Sequence, residues 1–342
     1  MAVRSLNLFE GWVLGIESSC DETSVAIIDG KRILAGIVSS QADLHLKWGG
    51  VVPEAAARKH AEAIVPALQE ALDRAGIGLT GIDAIAVTHR PGLVGALSVG
   101  VSSAKTLAFA LGKPLIGVDH LEGHVLSPAL VEDLQFPHIC LLVSGGHTEL
   151  IEVRDVGEYR VLGGTIDDAA GEAFDKSARA LGLGYPGGPA IQKAAENGDA
   201  ARYSLPKGLS GDTLDFSFSG LKTAMLYLIR DEGDNLNVAD ACASFEETIT
   251  DVLSERTERA CLQAGAKLAT LVGGVAANAR LRAKLAEVAS RRGIRFIAPP
   301  LSLCTDNAVM IALAGSARLA KGQRDSFDLD VLPNSEMFGR RK

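Results

Sequence analysis

One order of elements runs through this chain twice, and a fold that accommodates two copies of it is the strongest constraint the sequence supplies. The first pass opens with VLGIESS (13–19) and TSVAIID (23–29), two β-rich runs joined by the polar turn Cys20-Asp21-Glu22, and ILAGIVSS (33–40) adds a third strand. PEAAARKHAEAIVPALQEALDRAG then has the apolar spacing of a helix that stops at Gly76, with Pro66 as a point for a kink. A buried strand at 82–89 runs through the glycine turn RPGLVGAL into a second helix ending near Leu111. The short strand PLIGVD delivers the chain to a third helix that opens at His120. The second pass repeats the pattern. Strands at 138–144 and 148–155 form a hairpin around Gly145-Gly146-His147, YRVLGG follows, and DDAAGEAFDKSARALG matches the first long helix in position. KLATLVGG (267–274), the helix from AANARLRAKL, the strand IRFIAPP and the helix TDNAVMIALAGSARLA complete the second copy.

Two copies of a β/α unit predict an α/β protein of two lobes: 11–135, then 136–325 with an insertion near 184–236, then an irregular tail at 326–342. At 342 residues and 47% hydrophobic content the chain has enough apolar material for two packed cores. The N-terminus carries one Arg and no apolar run before Glu10, so no secretory signal is visible. The apolar stretch LVGALSVGVSSAKTLAFALG is interrupted by Lys105 and rich in Gly, Ala and Ser, which reads as a buried helix and not a membrane span. Five cysteines without a CxxC pair suit a reduced, cytoplasmic protein.

Net charge is −8, from 34 basic and 42 acidic side chains, which argues against tight nucleic-acid binding by this chain unaided. Local basic sites are Arg280, Arg282 and Lys284, the pair Arg291-Arg292, and the terminal Arg340-Arg341-Lys342. Each of these is equally an ordinary solvated helix or tail charge.

In DHLEGH, His120 and His124 stand four residues apart and project from one helix face, so both imidazoles can reach one metal ion. A His-x3-His pair also occurs as two ordinary core or surface histidines, and the pair alone does not choose. It is not the metalloprotease helix motif, because Leu121 holds the place of the glutamate that would follow the first histidine. A third ligand is required, and Asp306 in LCTDNAVM is the best candidate; a metal there would tie the two halves together. Turns such as SSCDET and SGGHTE offer backbone N–H groups and hydroxyls to phosphate or carboxylate oxygens, and VGGVAAN and YPGGP allow close backbone approach. Together they predict a nucleotide in the cleft between the lobes.

These residues carry a family resemblance. The arrangement resembles the sugar kinase, Hsp70 and actin superfamily, whose duplicated lobes close over a nucleotide. More narrowly, GIESSCDETSVAI, GGVVPE, PGLVGALSVG, HLEGH, LLVSGGHTEL, DDAAGEAFDKSARALGLGYPGGP, DFSFSGLKT, GGVAANARLR and CTDNAVMIA are similar to the tRNA threonylcarbamoyladenosine transferase family (in bacteria, TsaD), in family order from 13 to about 320. The resemblance implies transfer of a threonylcarbamoyl group from threonylcarbamoyl-AMP to N6 of the adenosine beside the anticodon, in tRNAs that read codons starting with A, with AMP released. It implies His120, His124 and Asp306 as ligands of one divalent metal, Fe(II) first and Zn(II) second. It places substrate-binding positions on Leu142, Val143, Ser144, Gly145, Gly146, Asp175, Gly188 and Asn278. It also implies partners: tRNA, a paralogous subunit and a small ATPase, with a homodimer as a further arrangement.

Within that reading, Asp21 and Glu22, with ordinary carboxylate pKa values near ~4, are expected to be ionised and to orient the attacking amine or take its proton. The other reading of the pair is a solvated turn. Lys176 pairs with a phosphate or a carboxylate, His147 is a cleft or a structural residue, and Cys304 reads as packing. Two departures from the family pattern stand out: Arg90 replaces the usual first Gly of a Gly-Pro-Gly turn, and Trp48 stands where Tyr is common. A metallopeptidase and a non-catalytic nucleotide-dependent scaffold are the alternative functions.

Overall fold

The computed structural model describes residues 4–41, 52–335 and 337. Trp48, the first three residues of GGVVPE, and Arg340-Arg341-Lys342 lie outside the described residues. The principal elements, in chain order, are β1 (Trp12–Glu17), β2 (Glu22–Asp29), β3 (Arg32–Ser40), α1 (Pro53–Ala75), β4 (Ala84–Arg90), α2 (Val94–Leu111), β5 (Leu115–Asp119) and α3 (His120–Leu126). There follow β6 (His138–Val143), β7 (Thr148–Asp155), β8 (Glu158–Gly164), α4 (Ala170–Ala180), α5 (Gly187–Ala195), α6 (Ser219–Glu232) and α7 (Val238–Ala264). The chain ends with β9 (Leu268–Val272), α8 (Ala279–Arg292), β10 (Arg295–Ile297) and α9 (Ala308–Ala320).

The duplication read from element order is present in the sheets. One five-stranded sheet runs β3-β2-β1-β4-β5 and the other β8-β7-β6-β9-β10, the same order in each. In both, the opening hairpin is antiparallel and the two later strands join in parallel. Parallel interior strands are covered on both faces, which is why AIAVT in β4 and LATLV in β9 are buried throughout rather than alternating.

Residues 1–135, 155–157 and 305–342 form one compact unit, and 136–154 with 158–304 form the other. The expected boundaries put 305–325 in the second lobe, whereas this division places them in the first unit. The packing explains it. In β1 and β4, Leu14, Ile16, Ile85 and Val87 turn to one face and meet Ile64, Ala67 and Ala71 of α1 and Val101, Ala104 and Ala108 of α2. On the opposite face Gly15 and Ala86 are small, and α9 lies on them: a Cβ added at Gly15 would stand 2.3 Å from the Ala308 carbonyl oxygen. α9 therefore closes the second face of the first sheet.

α2 is long and apolar enough to cross a membrane by length and composition, but its Ala96, Leu97, Gly100, Val101, Ala104 and Ala108 stripe is buried inside the first unit. The tail after α9 is irregular yet tied down: Asp325 Oδ2 accepts from Gly117 N at 2.7 Å, and Leu332 N donates to His89 O at 3.0 Å. No described non-glycine residue has positive φ, so Arg90 closes β4 without the left-handed backbone a glycine would serve. Its Nε lies 3.3 Å from Asp119 Oδ2.

In the second unit the core gathers Phe174, Phe216, Phe218 and Phe245 with the inner faces of β6, β9 and α7. The expected insertion, 184–236, contains α5 and α6 and supplies two of those phenylalanines. Its coil is pinned by Arg256, which donates to the carbonyls of Asp215 and Leu209, and by Arg259, which donates to those of Gly211 and Thr213.

Candidate functional site

α3 is seven residues long and starts where β5 stops, with the Asp119 side chain capping it by accepting from Leu121 N at 3.0 Å. The glycine of HLEGH has a packing reason. A Cβ at Gly123 would stand 2.9 Å from Ile311 Cδ1 and 3.0 Å from Met310 Cγ, so a larger residue there would make those side chains shift for α3 to press against α9 this closely. Glu122 is fully buried and accepts from Arg318 Nε of α9 at 2.5 Å. That ion pair engages the one carboxylate inside HLEGH, and the metallopeptidase reading finds no general base there.

The close approach brings Asp306, just ahead of α9, up to both histidines. Its Oδ1 is 3.1 Å from His124 Nε2 and 3.4 Å from His120 Nε2. Asn307 fixes the start of α9, its Oδ1 accepting from Met310 N at 3.0 Å, and so holds Asp306 in place. All three belong to the first unit. The expected inter-lobe metal is corrected accordingly: the three ligand atoms come from β5–α3 and the start of α9, which pack together inside one unit.

The donor set fits a divalent cation. The three ligand atoms lie within 4.8 Å of one another. Ligands at ~2.1 Å from a four- to six-coordinate ion stand ~3.0–3.4 Å apart, and both histidine–aspartate separations fall in that range. Two imidazoles and one carboxylate leave coordination positions open for substrate. Burial opposes charge on His120, but the Asp306 and Glu17 carboxylates on either side outweigh it and hold the imidazolium well above its usual range. Burial likewise pushes Asp306 up, and the two histidines reverse this and hold it well below the usual carboxylate range.

Asp21 and Glu22 are brought to the same place: a carboxylate oxygen from each lies within 4.8 Å of the other and of Asp306. The expectation that both ionise at ordinary carboxylate pH is corrected for Glu22. Burial, a hydrogen bond shared with Asp21, and the charges of Asp21 and Asp306 push it up to about 9. Ser40 Oγ donates to Glu22 Oε1 at 3.0 Å. The turn is braced from α1 by His60, fully buried, whose Nε2–H donates to Cys20 O at 3.0 Å while Nδ1 accepts from Thr23 Oγ1 at 2.7 Å.

In the second unit, Leu142 and Val143 have fully buried side chains, so only their backbone is available to a ligand. Ser144 closes the hairpin turn, donating N–H to His147 O at 2.8 Å and accepting from His147 N on Oγ at 3.1 Å. Gly145 and Gly146 follow, exposed, with open space where a Cβ would stand. Asp175 Oδ1 accepts from Gly187 N at 2.7 Å, at the start of α5 beside Gly188. Burial pushes the Asp175 carboxyl up. Asn278 caps α8, its Oδ1 accepting from Leu281 N at 2.8 Å and its Nδ2 donating to Glu246 Oε1 at 2.6 Å.

The remaining candidates resolve into structural contacts. Lys176 pairs with Glu172 at 2.6 Å and Asp168 at 3.2 Å, so it meets carboxylates. Cys304 is buried in the second unit against Arg282 Nη2 at 3.0 Å. Four of the described basic residues are likewise paired: Arg280 and Lys284 with Glu247, which Arg280 draws down to about 2, and Arg291 and Arg292 with Glu258.

Sequence reasoning missed Glu17, Thr88, His60, Glu246 and Arg318. The signal for Glu17 lies in the sequence: a carboxylate ending the otherwise apolar strand VLGIE is buried by its neighbours and needs partners.

The family described as TsaD, tRNA N6-adenosine threonylcarbamoyltransferase, matches residues 32–313. A protein of that description from Symbiobacterium thermophilum is 53% identical over 330 residues, 95% of this chain and 97% of that one. One from Thermomicrobium roseum is 51% identical over 349 aligned residues, covering 93% and 95%. Among solved structures, T. kodakarensis HypF aligns with 93% of this chain and 49% of its own at TM-score 0.61 and 13% identity. The activator of the 2-hydroxyisocaproyl-CoA dehydratase from Clostridium difficile aligns with 91% and 96% at TM-score 0.51 and 15% identity. Those structures share the fold. By sequence, over nearly its whole length, the chain belongs to the tRNA N6-adenosine threonylcarbamoyltransferase family.

Proposed function

We propose that this protein is a tRNA-modifying acyltransferase that moves a threonylcarbamoyl group from threonylcarbamoyl-AMP to N6 of the adenosine beside the anticodon, in tRNAs reading A-starting codons, and releases AMP. The observation that carries the reading is the family match over 32–313, backed by relatives above 50% identity along almost the full chain.

The donor is already activated as a mixed anhydride, so the chain has to position it and manage charge and one proton. The amine lone pair adds to the carbamoyl carbon, the anhydride C–O bond breaks with its electrons on the phosphate oxygen of AMP, and one N6 proton must leave. Glu22 is placed to accept that proton, with Asp21 beside it. His120, His124 and Asp306 hold the cation, with Fe(II) the preferred ion and Zn(II) the second. When bound, it supplies Lewis acidity toward carbamoyl or phosphate oxygens.

In the second unit, the backbone of 142–146 and the start of α5 at Gly188 offer N–H groups to the adenylate, and Asp175 offers its second carboxylate oxygen to a ribose or threonyl hydroxyl. Asn278 acts on the substrate through the cap it already makes with α8 and Glu246. Paired basic clusters leave little free positive charge for tRNA in the described residues, which supports work with a paralogous subunit and a small ATPase. Free cysteines at all five positions support a cytoplasmic setting.

The test is reconstitution with tRNA, threonylcarbamoyl-AMP, the partner proteins and a divalent metal, followed by nucleoside analysis. Threonylcarbamoyladenosine is expected with the wild-type protein and not with His120→Ala. Absence of product with the wild type, or equal product with the variant, sinks the reading.

A further inference from the structure

Glu17 ends β1 with its side chain 1% exposed, and its carboxylate meets three donors. Ser19 N donates to Oε1 at 2.6 Å, Thr88 Oγ1 donates to Oε2 at 2.5 Å, and Oε2 lies 3.0 Å from His120 Nδ1. An ionised carboxylate only accepts, so the proton of the neutral His120 imidazole sits on Nδ1. Nε2 then carries the lone pair, and Nε2 is the atom that faces Asp306. His124 has no such partner: its Nδ1 is buried without a hydrogen bond. At Nδ1 the two histidines therefore differ, one backed by a buried carboxylate and the other without a hydrogen bond. Thr88 and Ser19 in turn restrict Glu17, because two of its three contacts come from β4 and from its own turn, and only the third from the histidine.

We propose that Glu17 is a positioning residue for the metal centre: it fixes the Nδ1–H tautomer and the ring plane of His120 so that Nε2 is presented as a ligand. A carboxylate hydrogen-bonded behind a ligating histidine also raises the basicity of the ligating nitrogen, and removing such a partner typically costs ~10–100-fold in metal affinity. The proposal rests on reading His120, His124 and Asp306 as metal ligands.

The test uses the full chain and Co(II) as the probe, titrated against a chromophoric chelator, with the visible d–d bands as a record of ligand geometry. Glu17→Ala is expected to bind Co(II) ~10–100-fold more weakly than wild type with altered d–d bands, and Glu17→Gln, which keeps an acceptor oxygen, to recover part of the loss. Wild-type affinity and bands in Glu17→Ala overturn the proposal while leaving the ligand set intact. A wild-type protein that binds no Co(II) overturns the ligand set and this proposal with it. Should Glu17→Ala not fold, the wild type decides by itself. Long-range 1H–15N spectra of the Zn(II)-loaded protein are expected to show His120 protonated at Nδ1 and metallated at Nε2, and the reverse assignment overturns the proposal.

Discussion

Asp306 Oδ1 lies 3.1 Å from His124 Nε2 although 182 residues separate the two in the chain. The contact is made by packing, since α3 and α9 meet at Gly123 and each carries its ligand at or just before its first turns. Everything expected of the metal centre depends on that approach.

Replacing Asp306 by Ala removes the carboxylate that both histidines share. A ligand at 100 times its dissociation constant stabilises by ~2.7 kcal/mol, so added Zn(II) should raise the melting temperature of the wild type measurably. The Asp306→Ala protein should show no such rise. An equal rise in both would place the ion elsewhere.

Gly123→Ala tests the packing without touching a ligand. The new methyl would overlap Ile311 and Met310, and overpacking of this kind costs ~1–3 kcal/mol. Denaturant unfolding should report that loss, and Zn(II) affinity should fall with it because α3 is pushed away from Asp306. Unchanged affinity in a destabilised protein would mean that the ligands converge for some other reason.

The metal-free protein should show a pH signature from the same pair. His120 is raised above its ordinary 6.5, so its contribution to stability is complete below that value and is lost as pH rises through the folded value. Asp306 is depressed below its ordinary 3.8, so its contribution is present above that value and is lost as pH falls through the folded one. The pair therefore stabilises most between these two ordinary values. On the alkaline side the stability difference between wild type and His120→Ala should shrink, by no more than ~1.4 kcal/mol per pH unit for one proton. Urea unfolding at pH 5.5 and pH 9 measures it; a difference that widens at pH 9 contradicts the assignment.

Glu22→Gln should lower kcat by ~10²–10⁴, the usual worth of a positioned acid–base group. With wild-type enzyme kcat should rise with pH as Glu22 loses its proton, whereas the variant should be slow with that limb gone. A variant that keeps the wild-type profile would assign the proton to another group.

Much of the fold was legible because its signals are local. The β-rich run VLGIESS, the glycine that stops α1 and the order of strands and helices depend on neighbours a few residues away, and the two sheets repeat the same strand order as that reading requires. The histidine pair was legible too, since His120 and His124 share one face of a helix. Which unit Asp306 belongs to was not: element order alone grouped α9 with the second copy, while the small residues on the second face of β1 and β4 draw it onto the first sheet. Likewise the sequence left Lys176 open between a phosphate and a carboxylate, and only the packing of α4 shows that Glu172 and Asp168 claim it.

By itself, then, the sequence determined the duplicated α/β architecture, the family, and the residue types that can bind a cation and move a proton. Tertiary structure alone decided which of them meet and in what protonation state. Glu22 is a carboxyl pushed up to about 9 only because burial and two other carboxylates surround it. His120 has a defined tautomer only because Glu17, 103 residues earlier, stands behind it. Charge state and ligand direction are properties of a group's surroundings, and those surroundings come from chain segments that sequence distance does not order.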